Sequence, residues 1–220
     1  MPWGFVILFL PGLGALVYVV FELAPDWFGS YGAQRARRSV AAALDPMGRY
    51  RALRDALDSV DTVANRRALA EECLKIGRPQ EALTHYEAIL ARRLGDEPAF
   101  LIGKARALVD LGRAQEAVAA LEEVKRRAPD LHSLEGHLLF GRALEAAGRP
   151  DEALDVYARV SLTFPGPEPR VREARLLERL GRREQARSIA EEVVRSLSRA
   201  PRHVQANERE WFVLARQLAR

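Results

Sequence analysis

The residues of this chain that could move a proton, hold a metal or attack an electrophile are four histidines, one cysteine and a few carboxylate pairs. His85, His132, His137 and His203 are scattered. Only His132 and His137 stand close, five apart across a helix start, and tetrahedral zinc would need further Cys, His or carboxylate ligands that this neighbourhood does not suggest. Cys73 has no partner for a disulfide and falls at a helix-packing position, where free cysteine is ordinarily a small buried apolar side chain. Glu71-Glu72 and Glu191-Glu192 are adjacent in sequence and point in different helical directions, so neither pair shares a site. No phosphate loop, Gly-x-Ser-x-Gly elbow or His-Glu-x-x-His occurs, and Gly12-Leu13-Gly14 lies inside an apolar run. Catalysis, a cofactor and a resident metal are therefore not expected. The side chains suited to recognition are Arg106, Arg142 and Arg175, which return at one register of a repeating pattern where the first copy has Glu71. A guanidinium fork there can hold a carboxylate bidentately, or pair with a glutamate of the adjacent repeat.

The pattern that positions them is a cluster met four times: Gly-Arg-Pro-Gln-Glu-Ala at 77–82, Gly-Arg-Ala-Gln-Glu-Ala at 112–117, Gly-Arg-Pro-Asp-Glu-Ala at 148–153 and Gly-Arg-Arg-Glu-Gln-Ala at 181–186. Gly77, Gly112, Gly148 and Gly181 are 35, 36 and 33 residues apart, a period that marks stacked helical hairpins. After each alanine an apolar or aromatic residue follows by four (Tyr86, Leu121, Tyr157, Ala190) and by seven (Ile89, Val124, Val160, Val193), drawing one face of a helix B. Before each glycine a small residue (Ala70, Ala105, Gly141, Ala174) and a mid-sized one (Cys73, Leu108, Leu144, Leu177) mark a closely packed helix A. The glycine takes the left-handed turn between them, Pro79 and Pro150 suit the first turn of helix B, and Pro129 and Pro165 stop it. The first and fourth repeats delay that proline to Pro98 and Pro201, and the fourth places Pro169 at the start of its helix A.

On these motifs the chain resembles the tetratricopeptide repeat proteins from about Thr62 to Pro201. The resemblance implies an all-α, right-handed solenoid of about four hairpins, near residues 62–98, 99–130, 131–165 and 166–201, within a domain spanning 46–220. It also implies that helix A faces line a concave groove for a protein or peptide partner. That groove would present Arg67, Ile102, Arg106, Val109, Glu135, Leu138, Arg142, Glu145, Val171, Arg175 and Glu178, part apolar and part charged. The lysines and asparagines with which chaperone-tail receptors of the family grip a terminal carboxylate have no counterpart, since only Asn65 and Asn207 occur and neither stands at the matching place.

Flanking helices are expected to cap the stack. Asp45-Pro46 opens one, with Tyr50, Leu53, Leu57 and Val60 on a stripe, and Trp211, Leu214, Ala215 and Leu218 form another within 205–220. The amino end differs in kind, because Met1 to Phe21 carries no charged side chain and, at about 1.5 Å per residue, matches the roughly 30 Å of bilayer hydrocarbon. A single transmembrane anchor over 1–24 is the reading preferred to a cleaved signal peptide, which needs a basic start, or to a buried core helix. A basic linker at 25–45 follows, and its Arg35, Arg37 and Arg38 place the repeats on the cytoplasmic side of an inner membrane. The same arginines could contact anionic lipid headgroups or serve topology alone. The stretch from Trp3 through Ile7 to Tyr18 is similar to the second hydrophobic helix in the amino-terminal membrane module of cardiolipin synthases and related phospholipase-D-type proteins. That resemblance implies anchoring and no lipid-synthesis chemistry, with an earlier helix of the module either upstream of this start or absent.

Across 220 residues, 34 Lys and Arg against 30 Asp and Glu leave a net charge of +4, and acids alternate with bases through every repeat. Despite a pI near 9.6, such a diluted excess with no aromatic stacking motif and no long cationic run argues against nucleic-acid binding. The expected function is a membrane-anchored scaffold or adaptor that tethers a protein partner; the alternative is an envelope or phospholipid-related accessory protein that contacts lipid through Arg35, Arg37 and Arg38. Self-association through the groove or the cap is compatible with either.

Overall fold

A computed structural model describes residues 45, 47–92, 97–131 and 133–220. The expected anchor, most of the linker with Arg35, Arg37 and Arg38, and His132 lie outside the described residues. Two compact units divide the chain, Met1–Asp55 and Ala56–Arg220. Eleven helices and no strands are found among the described residues. In the first unit, Gly48 N–H donates to the Asp45 carbonyl at 3.1 Å and the Arg51 guanidinium pairs with the Asp45 carboxylate, so the turn before helix α1 (Gly48–Ser59) is tied from its own first residues. Tyr50 is buried, and Leu53 and Leu57 are half-buried. Val60 departs from the expected stripe: it lies past the end of α1 and is 59% exposed. The physical reason is a tight turn, in which the Asn65 side-chain amide donates to the carbonyls of Val60 at 2.8 Å and Ala56 at 3.2 Å.

The second unit is built from four hairpins, α2 (Val63–Lys75) with α3 (Pro79–Leu90), α4 (Pro98–Asp110) with α5 (Ala114–Arg127), α6 (Leu134–Ala146) with α7 (Pro150–Val160), and α8 (Glu168–Arg179) with α9 (Arg183–Arg199). Each hairpin turns on its glycine at φ between 72° and 77°. At Gly148, the glycine N–H donates to Glu145 at 3.3 Å and the following Arg149 N–H to Leu144 at 2.9 Å, so two carbonyls that the helix end would leave unpaired are satisfied. The arginine after the glycine is then clamped by the glutamate three residues on: Arg113 to Glu116 at 2.7 Å, Arg149 to Glu152 at 2.6 Å, Arg78 to Glu81 at 3.2 Å. In the fourth copy that position is Gln185, and Arg182 reaches back 3.0 Å to Asp151 of the preceding hairpin instead.

Burial follows the repeat. Ala82, Ala117, Ala153 and Ala186, the residues four and seven beyond them, and the small residues Ala70, Ala105, Gly141 and Ala174 are all buried. Where the small residue is glycine, an aromatic ring takes the space: a Cβ on Gly141 would lie 2.6 Å from the Tyr157 ring. Successive hairpins are joined along the glycine-turn edge by Gln115 to the Ala147 carbonyl (3.1 Å), Arg149 to Glu122 (3.1 Å) and Arg182 to Asp151 (3.0 Å).

Prolines work differently from expectation at two places. Pro98 opens α4 at its first turn rather than closing α3, and α7 ends at Val160, where a turn through Phe164 N–H to the Val160 carbonyl stops it before Pro165. The expected cap at 205–220 is two helices, α10 (Arg202–Asn207) and α11 (Arg209–Leu218), broken where Glu208 adopts φ −99°, ψ 19°. The break lets α11 lay Trp211, Phe212, Leu214 and Leu218 against Val171, Val193 and Leu197, with Ala215 fully buried between them.

Candidate recognition groove

The A helices α2, α4 and α6 contact one another in sequence, and their outer faces enclose a cavity of about 380 Å³. Its walls are Glu71, Leu74 and Lys75 from α2, Ile102, Gly103, Arg106 and Asp110 from α4, and Glu135 from α6, with the Tyr86 ring at the floor. Burial pushes the Tyr86 phenol up to about 12, so it remains a neutral hydrogen-bonding group. Ile102 and Arg106 both line this cavity. Arg67 stands beside it, donating to Glu71 at 2.7 Å within its own helix.

The arginine row is not uniform. Arg106 meets Glu135 of the next repeat at 3.6 Å, a loose contact between exposed side chains. Arg142, half-buried, and Arg175, exposed, make no ion pair among the described residues. Glu145 is already engaged, accepting 2.7 Å from the Tyr157 hydroxyl and pairing with Arg179 of the fourth hairpin. Glu178 is exposed and Val109 half-buried. Two of the expected groove residues are corrected by burial: Leu138 is 7% exposed and Val171 is 0% exposed, because Leu138 belongs to the core and Val171 turns toward the cap helix α11. Arg172, three residues before Arg175, is spent on structure, bound to Glu168 at 2.7 Å with its guanidinium 5.1 Å from the Trp211 ring centre.

A second cavity of about 370 Å³ opens on the edge away from the glycine turns, between the carboxyl ends of α5 and α7 and the start of α6. Leu121, Val124, Phe140, Val156 and Val160 line it, Lys125, His137 and Arg159 rim it, and no carboxylate enters the lining. Periodicity misses this site, since its shape comes from the splay of helix ends. Its signal among the described residues is Leu131, an apolar residue in a connection and 38% exposed.

Among the described residues the histidines do not converge. His203 and His137 are exposed on different helices, and Cys73 is fully buried with its thiol pushed up to about 11 by desolvation, which leaves it unreactive as a nucleophile. Burial lowers the pKa of His85.

Comparison with known proteins agrees with this architecture. Two family models, each described as Tetratricopeptide repeat, match residues 67–132 and residues 134–159 with 167–192. Among solved structures, the thermophilic TPR protein TTC0263 of Thermus thermophilus superposes with a TM-score of 0.60 at 22% identity, covering 81% of this chain and 96% of that one. MamA gives 0.55 at 16% identity over 86% and 94%. The nearly identical TPR-like repeats of a putative kinesin light chain from Podosopora anserina give 0.57 at 25% identity over 71% and 86%. No curated protein matches, and none of these matches is a catalytic family.

Proposed function

Because the chain belongs to the tetratricopeptide repeat family, whose members generally act as protein-interaction scaffolds, we propose that it binds an acidic segment of a protein partner along its A-helix groove and tethers that partner at the inner membrane. One observation carries the reading. Arg142 and Arg175 present guanidinium groups at the register of Arg106 with no carboxylate of the described chain to occupy them. Only Arg106 is held by the neighbouring repeat, so the row is not simply a structural ladder. An acidic peptide would satisfy the two vacant forks and compete with Glu135 for the third.

Tethering is assigned to the apolar segment 1–24, supported by its lack of charge from Met1 to Phe21 and by Arg35, Arg37 and Arg38 behind it. Among the described residues no helix is long and apolar enough to cross a membrane. With the solenoid on the cytoplasmic side, the anchor raises the partner's effective concentration at the bilayer and requires no chemistry. In-cell crosslinking of the tagged full chain compares wild type with the Arg106→Gln, Arg142→Gln, Arg175→Gln triple variant. A protein recovered with wild type and lost with the variant is the expected result; identical recoveries would remove the groove from the mechanism. The juxtamembrane arginines favour a second reading, direct contact with anionic lipid, which cosedimentation of a fragment lacking 1–24 with anionic vesicles would reveal.

A further inference from the structure

We propose that Cys73, Glu81 and His85 form a binding site for a zinc-type divalent cation inside the first hairpin. The three residues come from both helices of that hairpin, Cys73 from α2 and Glu81 with His85 from α3, and one ligand atom from each lies within 4.8 Å of the other two. A tetrahedral zinc with a sulfur at about 2.3 Å and nitrogen or oxygen at about 2.0–2.1 Å separates its ligand atoms by roughly 3.3–3.7 Å. Closing the trio onto a cation therefore takes an adjustment of about 1 Å, within reach of side-chain torsions. Glu81 and His85 stand four apart on one helix, so their side chains already overlie each other on the face that meets α2.

One polar atom of the site is left over by the fold. Cys73 is 0% exposed and forms no disulfide. The Nδ1 atom of His85 is buried without a partner. Buried ring nitrogens almost always find one, and an orphan beside a buried thiol on the facing helix is what a missing shared ligand would leave. The donor set is selective: one thiolate, one imidazole and one carboxylate suit zinc and cobalt and disfavour magnesium or calcium, which require oxygen shells. Three protein ligands leave a fourth position for water on the half-exposed side of Glu81 and His85. Glu81 must exchange its 3.2 Å contact with Arg78, a partly exposed pair of the weakly stabilising kind. Sequence spacing hides the trio, because the hairpin turn at Gly77 separates the cysteine from the other two.

Cys73 is the sole cysteine of the chain, so any thiolate-to-metal absorption reports on this site alone. The full-length protein, stripped with chelator and kept reduced, is titrated with Co²⁺ and followed in the near-ultraviolet and visible. The expected result is a thiolate-to-cobalt charge-transfer band with tetrahedral-type visible bands that saturate at one equivalent and disappear on adding Zn²⁺. Cys73→Ser removes the charge-transfer band. His85→Ala and Glu81→Gln, both at half-buried positions that preserve the helical circular dichroism, each weaken Co²⁺ binding by about ten-fold or more. Absence of the charge-transfer band in the wild type overturns the site. So does a band whose titration midpoint is the same in His85→Ala and Glu81→Gln as in wild type, since that would be a lone thiol capturing metal.

Discussion

Gly103→Ala is the substitution for which the seam between the first two hairpins makes the sharpest demand. A Cβ at 103 would lie 2.3 Å from Cζ, 2.4 Å from Cε1 and 2.6 Å from the hydroxyl oxygen of Tyr86, against a normal carbon-carbon contact of about 3.5–4.0 Å. The ring cannot step aside freely, being 3% exposed and enclosed between α3 and α4. Overpacking of this kind costs about 1–3 kcal/mol, while replacing glycine inside α4 returns about 1 kcal/mol of helix propensity, for a net loss of about 0–2 kcal/mol. In a Tyr86→Leu background the obstacle is gone, and the same Gly103→Ala change is expected to stabilise by about 1 kcal/mol. The reversal of sign, a coupling of about 1–3 kcal/mol, is read from a double-mutant cycle of urea midpoints followed by circular dichroism. Additivity within about 0.5 kcal/mol would refute the claim that ring and helix backbone share one space at this seam.

Other expectations follow from single contacts. Tyr157→Phe removes a buried hydrogen bond to Glu145, and a loss of about 1 kcal/mol in denaturant unfolding is expected. Asp61 is held well below the usual carboxylate range by hydrogen bonds from Arg66 and Arg92; its folded pKa is depressed, so its contribution is present above the unfolded pKa of about 3.9 and lost as pH falls below it. Asp61→Asn should therefore unfold earlier than wild type at pH 7, with the gap narrowing under acid in parallel titrations. Glu173 shows the opposite sign, because desolvation raises its carboxyl and protonation favours the fold. Glu173→Gln is expected to raise the denaturation midpoint at pH 7 and to bring no gain near pH 4, about its unfolded pKa. Truncation after Ala200 uncovers Val171, Val193 and Leu197, and increased dye binding to apolar surface with a lowered melting temperature is the expected readout.

The hairpins were legible because their signals are local. Each left-handed turn needs a glycine, each helix B begins at the following arginine cluster, and the buried positions return at fixed offsets from these, as the burial of Tyr86, Ile89, Tyr157 and Val160 bears out. What spacing could not carry was the surroundings contributed by other elements. Val171 occupies a groove register in its own repeat, yet α11 covers it, and the break at Glu208 that lets α11 do so has no marker in the local pattern. The arginine row was visible as a row, but whether each member finds a glutamate depends on distances between hairpins: Arg106 has Glu135, while Glu168, the counterpart of Glu135 in the fourth hairpin, is bound to Arg172. The apolar cavity near Leu131 and the Cys73 trio escaped for the same reason, since both are assembled from residues that the turns bring together.

The polar ties between the second, third and fourth hairpins along the glycine turns make the stack mechanically lopsided. Gln115, Arg149 and Arg182 stitch one edge, whereas at the other edge the second and third hairpins stand apart around an unfilled apolar space. A bound book is the nearest analogy: the spine is sewn and the fore-edge can fan. Bending of the solenoid then has a hinge line along the turns, with its largest excursions at the fore-edge. A ligand that wedges there would reach Ile102, which also lines the A-helix cavity, and would change the curvature of that whole face.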